Sequence, residues 1–267
     1  MTSTPISVAN PFVAAGPFRL REVAYAPGLR QPVHCHAEMG LTLVVRGAIR
    51  EVVRGREEIA TALSVVVKPA GVEHSDEIGP AGAHTLQILF DPDMARALLG
   101  DAPGLDRWTW LHARGVSAGM LRLMGMLRGK DPTAAGDLED GILDALAAAT
   151  DIVPARGEPP RWIARVREAV DDGLYDGVSV QSLARDAGIH AVSVSRAFRR
   201  HFGCTIGAYR RRERLRRAAA KVADAPLELA RIAHASGYAD HAHLCREFRA
   251  ATGLTPSRFR ALARHPA

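Results

Sequence analysis

Cysteine is scarce in this chain of 267 residues: Cys35, Cys204 and Cys245 are widely spaced and odd in number, which excludes a disulfide framework and suits a reducing compartment. Long apolar runs are missing as well. No stretch approaches the ~20 residues that a bilayer span requires, and the first twenty residues lack the basic start and continuous apolar run of a secretory signal. A soluble, cytoplasmic protein without a membrane partner is the expectation. Acidic residues are short on one side only. Residues 160–267 hold 20 Lys+Arg against 10 Asp+Glu, whereas residues 1–159 hold 15 against 19. A basic C-terminal part behind a mildly acidic N-terminal one points to a polyanion as the partner of the former alone.

What the chain does have is a repeat. Val194-Ser-Arg-Ala-Phe198-Arg199-Arg-His-Phe-Gly203 is answered fifty positions later by Leu244-Cys-Arg-Glu-Phe248-Arg249-Ala-Ala-Thr-Gly253, and Thr205, Tyr209 and Arg210 then fall opposite Thr255, Phe259 and Arg260. Leu183-Ala184 with Gly188 precedes the first copy and Ile232-Ala233 with Gly237 the second, so each unit reads as a short helix, a glycine turn and a second helix. The second turn should be one residue longer. Gly207 to Val222 carries no proline and is crowded with arginine and alanine, as suits one continuous connecting helix. Trp162, Val166, Ala169 and Val170 stripe a leading helix that ends near Gly173. Ser179 and Asp240 are placed to cap helices, Pro226 is expected to start the helix through Leu229 and Ile232, and Thr255-Pro256 pairs a capping residue with a first-turn proline.

The N-terminal half has a different texture. Residues 1–17 show little periodicity and read as a loosely held lead-in, but Phe18 to about Phe90 breaks into short runs rich in β-branched residues between turns. That pattern argues for a small antiparallel barrel or sandwich. Helical periods follow over Pro92–Leu99, Val116–Leu127 and Leu138–Ala149, with a methionine-rich stripe read as packing and with Trp108 and Trp110 expected to anchor the helices to the barrel. The proline-broken stretch 151–160 is the natural linker. The expected architecture is α+β: a barrel over 1–90, appended helices over 91–150 available for dimerisation, the linker at 151–160, and an all-α domain over 161–267.

Within the barrel, Gly28, five residues and His34-Cys-His36 precede Gly47, and Pro69-Ala-Gly71-Val-Glu-His74 follows. This stretch resembles the cupin family, whose paired motifs place three histidines and a glutamate on a metal ion. The resemblance implies a divalent metal held by His34, His36 and His74. His34 and His36 would share one strand face, with Cys35 turned away and packed. The family's glutamate position falls near Gly40, so Glu38 is the nearby carboxylate that could substitute. Two readings stay open: an ion at the three histidines, or a metal-free pocket in which they contact the polar groups of an organic effector.

The dense pattern Leu183-Ala184, Gly188, Ser195-Arg196-x-Phe198, Gly203, Arg214, Ala218, Ile232-Ala233, Gly237-Tyr238-x-Asp240, Phe248-Arg249 and Gly253-Leu-Thr255-Pro256-Ser-x-Phe259-Arg260 resembles the DNA-binding domain of the AraC/XylS family of transcription regulators. The likeness spans about 100 residues. It implies two recognition helices per monomer in successive major grooves about 34 Å apart. Carried over by position, Val192, Ser195 and Arg196 in the first unit and His241, Ala242, Cys245 and Arg246 in the second face base edges. Arg196 and Arg246 are suited to bidentate contact with guanine, while Arg199 and Arg249, with Arg200 and the run Arg210–Arg214, suit the phosphate backbone or a solvated face. The implied partners are double-stranded DNA, a small-molecule effector, RNA polymerase and a second copy of the chain. The competing reading is a metal-dependent cupin enzyme carrying a DNA-binding tail; the displaced glutamate and the lack of any other acid/base set count against it.

Overall fold

The computed structural model describes residues 7–99, 105–112, 115–129, 135–150, 159–173 and 179–264. Most of the expected linker, 151–158, lies outside those residues.

The N-terminal half is built on two long strands, β5 (Met39–Val53) and β8 (His74–Phe90), which pair antiparallel along nearly their whole length. Irregularities between Val44 and Arg46 and between Gly47 and Ile49 bend the pair. Each long strand therefore serves two neighbours: β5 pairs with β7 (Ser64–Lys68) through Gly40–Leu43 and with β6 (Arg56–Thr61) through Ala48–Val53. Strand β8 likewise meets β4 (Arg30–His34) near His74 and β3 (Phe18–Tyr25) through Ala83–Leu89. The bend depends on glycine at the point of closest approach, since a Cβ on Gly47 would lie 1.9 Å from the Gly82 carbonyl oxygen.

Alternation along the strands sorts side chains into two layers. Val44, Ile49, Val66 and Ile78 pack inside the barrel with Trp108 and Trp110, whereas Leu41, Leu43, Val45, Val65 and Val67 face outward under the helices. The structure departs from sequence expectation in several places here. The lead-in is not loose where it is described: β1 (Ser7–Ala9) and β2 (Val13–Ala15) both pair with β3. The tryptophans belong to the barrel interior and not to a helix junction, because Thr109–His112 forms strand β9 on the edge of β7.

Helix α1 (Pro92–Leu99) leads on from β8, and α2 (Gly115–Gly129) then packs on α3 (Ala135–Thr150) with Met120 and Met124 fully buried. In the C-terminal half, α4 (Arg161–Asp172), α5 (Val180–Ala187) and α6 (Ala191–Phe202) share one apolar cluster through Ile163, Val166, Leu183, Val194 and Phe198. Helix α7 (Ile206–Asp224) connects to the second unit, α8 (Leu229–Ala235), α9 (His241–Thr252) and α10 (Pro256–Arg264). Its 19 residues span about 28 Å at ~1.5 Å per residue. The core of the second unit, with Leu215, Ile232, Leu244, Phe248 and Phe259, is continuous with the layer formed by α2, α3 and the outer barrel face.

Pro226 does not start α8. Ala225 is extended (φ −91°, ψ 137°) and closes α7, and the helix begins only after Glu228. The ring of a proline disfavours helical backbone in the residue before it, so Pro226 ends one helix instead of opening the next.

Candidate nucleic-acid interface and effector site

Helices α6 and α9 are delimited in the same way at both ends. His190 Nδ1 accepts the amide of Val192 (3.3 Å) and Asp240 Oδ1 accepts that of His243 (2.6 Å), satisfying donors that have no partner within the first turn. Gly203 and Gly253, at φ 66° and 74°, close the helices in the left-handed conformation. Between these stops, Val194 with Phe198 and Leu244 with Phe248 turn one stripe fully into the core. The opposite face must then point outward. Val192 (49% exposed), Ser195, Arg196 and Arg199 are exposed on α6, as are His241, Ala242, Arg246 and Arg249 on α9, while Cys245 is half-buried with its sulfur 3.3 Å from His241 Nε2.

Charge on these faces is uncommitted. Among the described residues, no ion pair or side-chain hydrogen bond engages Arg196, Arg199, Arg246 or Arg249. The arginines of α7 are used differently from the expectation of a backbone clamp. Arg210 Nη2 reaches the Gly173 carbonyl (3.5 Å), Arg212 Nε the Ala208 carbonyl (3.4 Å), and the Arg214 guanidinium lies 5.8 Å from the Tyr238 ring centre. Further along, Arg217 Nη2 donates to the Asp171 carbonyl (2.8 Å) and Arg216 Nη1 to Thr61 Oγ1 (2.7 Å) on the barrel. Arg210, Arg214, Arg216 and Arg217 thus reach from α7 to other elements, whereas Arg212 bonds within its own helix and Arg211 is exposed.

At the barrel mouth, His34, His36 and His74 converge so that one ring nitrogen from each lies within 4.8 Å of the others. His36 is not on the same strand as His34, because β4 ends at His34. The loop bearing His36 is tied instead by its carbonyl, which accepts the Gly71 amide at 2.8 Å and so joins the two histidine motifs directly. Cys35 is exposed, not packed, for the same reason: beyond the strand end no sheet face covers it. Nδ1 of His34 lies 2.8 Å from the Pro32 carbonyl and Nδ1 of His74 lies 3.1 Å from that of Val72. A carbonyl can only accept, so Nδ1 of each ring carries a proton and Nε2 is the nitrogen turned to the cluster. Loss of solvent around the ring, reinforced by neighbouring positive charge, lowers the buried His74 and also His36, which stands at the exposed lip of the cluster, to about 4, and both are neutral at physiological pH. A neutral imidazole with a fixed lone pair, as at His74, is what a first-row divalent ion takes as a ligand.

Glu38 stands apart from this cluster. Its carboxylate is paired with Arg19 at the surface. Inside the barrel lies a polar group that the sequence reading missed: Lys68 Nζ is 2.7 Å from Glu51 Oε1 and 3.8 Å from Asp76 Oδ2, and Trp110 Nε1 donates to Glu51 Oε2 at 2.5 Å. Burial disfavours the Lys68 charge, but Glu51 and Asp76 outweigh that effect and raise its pKa. The sequence offers only a partial signal: Asp76 occupies an inward position between the polar Ser75 and Glu77, but Glu51 lies between Arg50 and Val52 and no alternation marks it.

A basic helical domain with two exposed, arginine-bearing helix faces, joined to a barrel that encloses a polar site, defines a DNA-binding protein with a ligand-binding domain. The profile of the AraC-like ligand binding domain matches residues 20–149, and that of a helix-turn-helix domain matches residues 183–262. Together they cover most of the chain, and the chain belongs to the AraC family of transcription regulators. A probable transcription factor of Proteus vulgaris, PqrA, is 29% identical over 85 residues, which are 32% of this chain and 70% of that protein. The AraC-like transcriptional activator CuxR aligns over 79% of this chain and 80% of its own at 14% identity, with a TM-score of 0.45. ToxT from Vibrio cholerae aligns over 93% and 100% at 8% identity, with a TM-score of 0.38. No helix among the described residues is long and apolar enough to cross a membrane.

Proposed function

We propose that this regulator reads a specific double-stranded DNA site with both α6 and α9, using Arg196 and Arg246 on guanines and Arg199 and Arg249 on phosphates. The observation that carries this reading is that the four arginines are exposed and unpaired within the described chain, on faces opposite to fully buried stripes. Val192 and Ala242 supply apolar contacts, and Ser195, His241 and Cys245 lie within the same reading surface. The 161–267 domain is the DNA-binding unit and the barrel of 1–90 is a sensor, not a catalyst. Its effector site centres on His34, His36 and His74 with a divalent ion as the ligand. The protein acts in the cytoplasm as a homodimer through the N-terminal half, with RNA polymerase as its downstream partner.

The test separates reading from clamping. Sites selected from random DNA by the purified protein are assayed with Arg246→Ala and Arg249→Ala on single-base variants across salt. Losing a bidentate arginine–guanine contact costs about 1–3 kcal/mol and relaxes preference at one base pair. Loss of a phosphate contact weakens all sequences alike and lowers the salt slope by about one unit. If Arg246→Ala leaves base preferences intact, α9 does not read sequence through that residue.

A further inference from the structure

Resting on the ion-binding reading of the three histidines, we propose that Asp76, and not Glu38, is the carboxylate that serves the ion. His74 and Asp76 are two residues apart on β8, where burial alternates, so both side chains point to the barrel interior. Asp76 Oδ2 comes within 3.8 Å of His74 Nε2. With Nδ1 of His74 engaged by Val72, Nε2 presents a lone pair toward a carboxylate. Two acceptors facing each other in a buried setting are unfavourable unless something positive, or a hydrogen-bond donor, lies against them.

Both residues keep a polar atom without a partner among the described residues. His74 Nε2 and Asp76 Oδ1 are both buried without a hydrogen-bond partner among the described residues. Lys68 Nζ lies 3.8 Å from Asp76 Oδ2, the oxygen that faces His74, and balances part of the carboxylate's charge, but its closer contact, at 2.7 Å, is with Glu51, and it leaves Asp76 Oδ1 and His74 Nε2 without a hydrogen-bond partner. Glu38 is already paired with Arg19, on a side chain about one-third exposed (34%). Asp76 falls outside the set of three nitrogens that approach one another within 4.8 Å. Its place is therefore in the second layer of the site, on the side of His74, where it balances the ion's charge and accepts hydrogen bonds from water bound there. Partners of this kind typically shift metal affinity by about 10- to 100-fold.

Cobalt(II), whose visible absorption reports its ligand field, is titrated into full-length protein and into Asp76→Asn, Asp76→Glu, Glu51→Gln and Glu38→Gln, with thermal melting of each ion-free variant to establish folding. The expected result is a 10- to 100-fold weaker dissociation constant with an altered spectrum for Asp76→Asn, partial recovery in Asp76→Glu, a smaller loss for Glu51→Gln, and affinity within about twofold of the parent for Glu38→Gln. Affinity of Asp76→Asn equal to the parent overturns the proposal. So does an equal loss in Glu51→Gln, which would trace the effect to the Lys68 charge balance. Should Asp76→Asn fail to fold, Asp76→Glu decides: an unchanged dissociation constant and spectrum there, with loss in Glu38→Gln, overturn the assignment. A parent protein that binds no cobalt removes the ion reading itself.

Discussion

Asp171 shows how a single residue can work against the fold it belongs to. Burial, with the nearby Glu213 carboxylate, raises it to about 6, and its carboxylate accepts the Tyr209 hydroxyl at 3.0 Å. The folded pKa lies above the ordinary 3.8, so the folded state holds this proton more tightly. Its stabilising contribution is full below about pH 4 and is lost as pH rises through 6. Asp171→Asn keeps an acceptor for Tyr209 and removes the charge. Its thermal midpoint should rise by about 2–4 °C at pH 8 and hardly change near pH 3.5; a lower midpoint at pH 8 would show that the carboxylate stabilises the fold. Single residues differed in how far sequence revealed them. The exposure of Arg246 was legible because Leu244 and Phe248 fix the helix rotation, and the place of His74 because its motif fixes the turn that leads into β8. Asp76 and Lys68 were not, because a buried charge is recognised only by the partners that surround it, and those come from β5, β7 and β8 together.

At the level of elements, the two reader units were legible because each carries its own start and stop signals within a few residues. Ser179 Oγ accepts the Ser182 amide at 3.0 Å and Thr205 Oγ1 that of Ala208 at 3.2 Å. Gly253 sits at φ 74° with nothing within 4 Å of where a Cβ would be, so the cost of a side chain there is purely conformational. Gly253→Ala should destabilise the protein by about 1–2 kcal/mol, measured by denaturant unfolding, and leave DNA base preferences unaltered. A neutral substitution would mean that the helix end relaxes out of the left-handed region. Strand β9 escaped the sequence reading because four residues after a helical stretch carry too little alternation to be told from a loop. The start of α8 was misplaced because proline is equally compatible with closing one helix and opening another, and only the extended Ala225 decides between them.

Across the whole molecule, the two halves are joined at residues no local pattern could nominate. Arg128 on α2 donates to both oxygens of Glu22 (2.7 and 2.5 Å) and to the Leu262 carbonyl of α10 (2.7 Å), while His84 Nε2 lies 2.8 Å from the same carboxylate. Arg167 of α4 meets Glu58 of β6 at 3.4 Å, and Arg46 of β5 meets Asp224 of α7 at 3.0 Å. Burial would raise Glu22 and Glu58, but bonds from Arg128 and His84 to the former and from His112 to the latter, aided by Arg167, hold both at about 2. Their contribution is thus complete above about pH 4.5 and lost as pH falls toward 2. Arg128→Ala leaves Glu22, 2% exposed, without its main counter-charge, and should cost about 3–5 kcal/mol in unfolding stability. A loss below about 1 kcal/mol would show that the contact is incidental to the joint. In the reading proposed above, α7 holds two recognition helices against one face of DNA. The direct measurement takes the selected site and inserts five base pairs between its two contacted segments, rotating one by about half a turn. Binding should fall toward the non-specific level, a loss on the order of a thousandfold, and recover in part when ten base pairs are inserted only if α7 yields. Unchanged affinity with five inserted base pairs would contradict it, because a single reader would then account for all of the specificity.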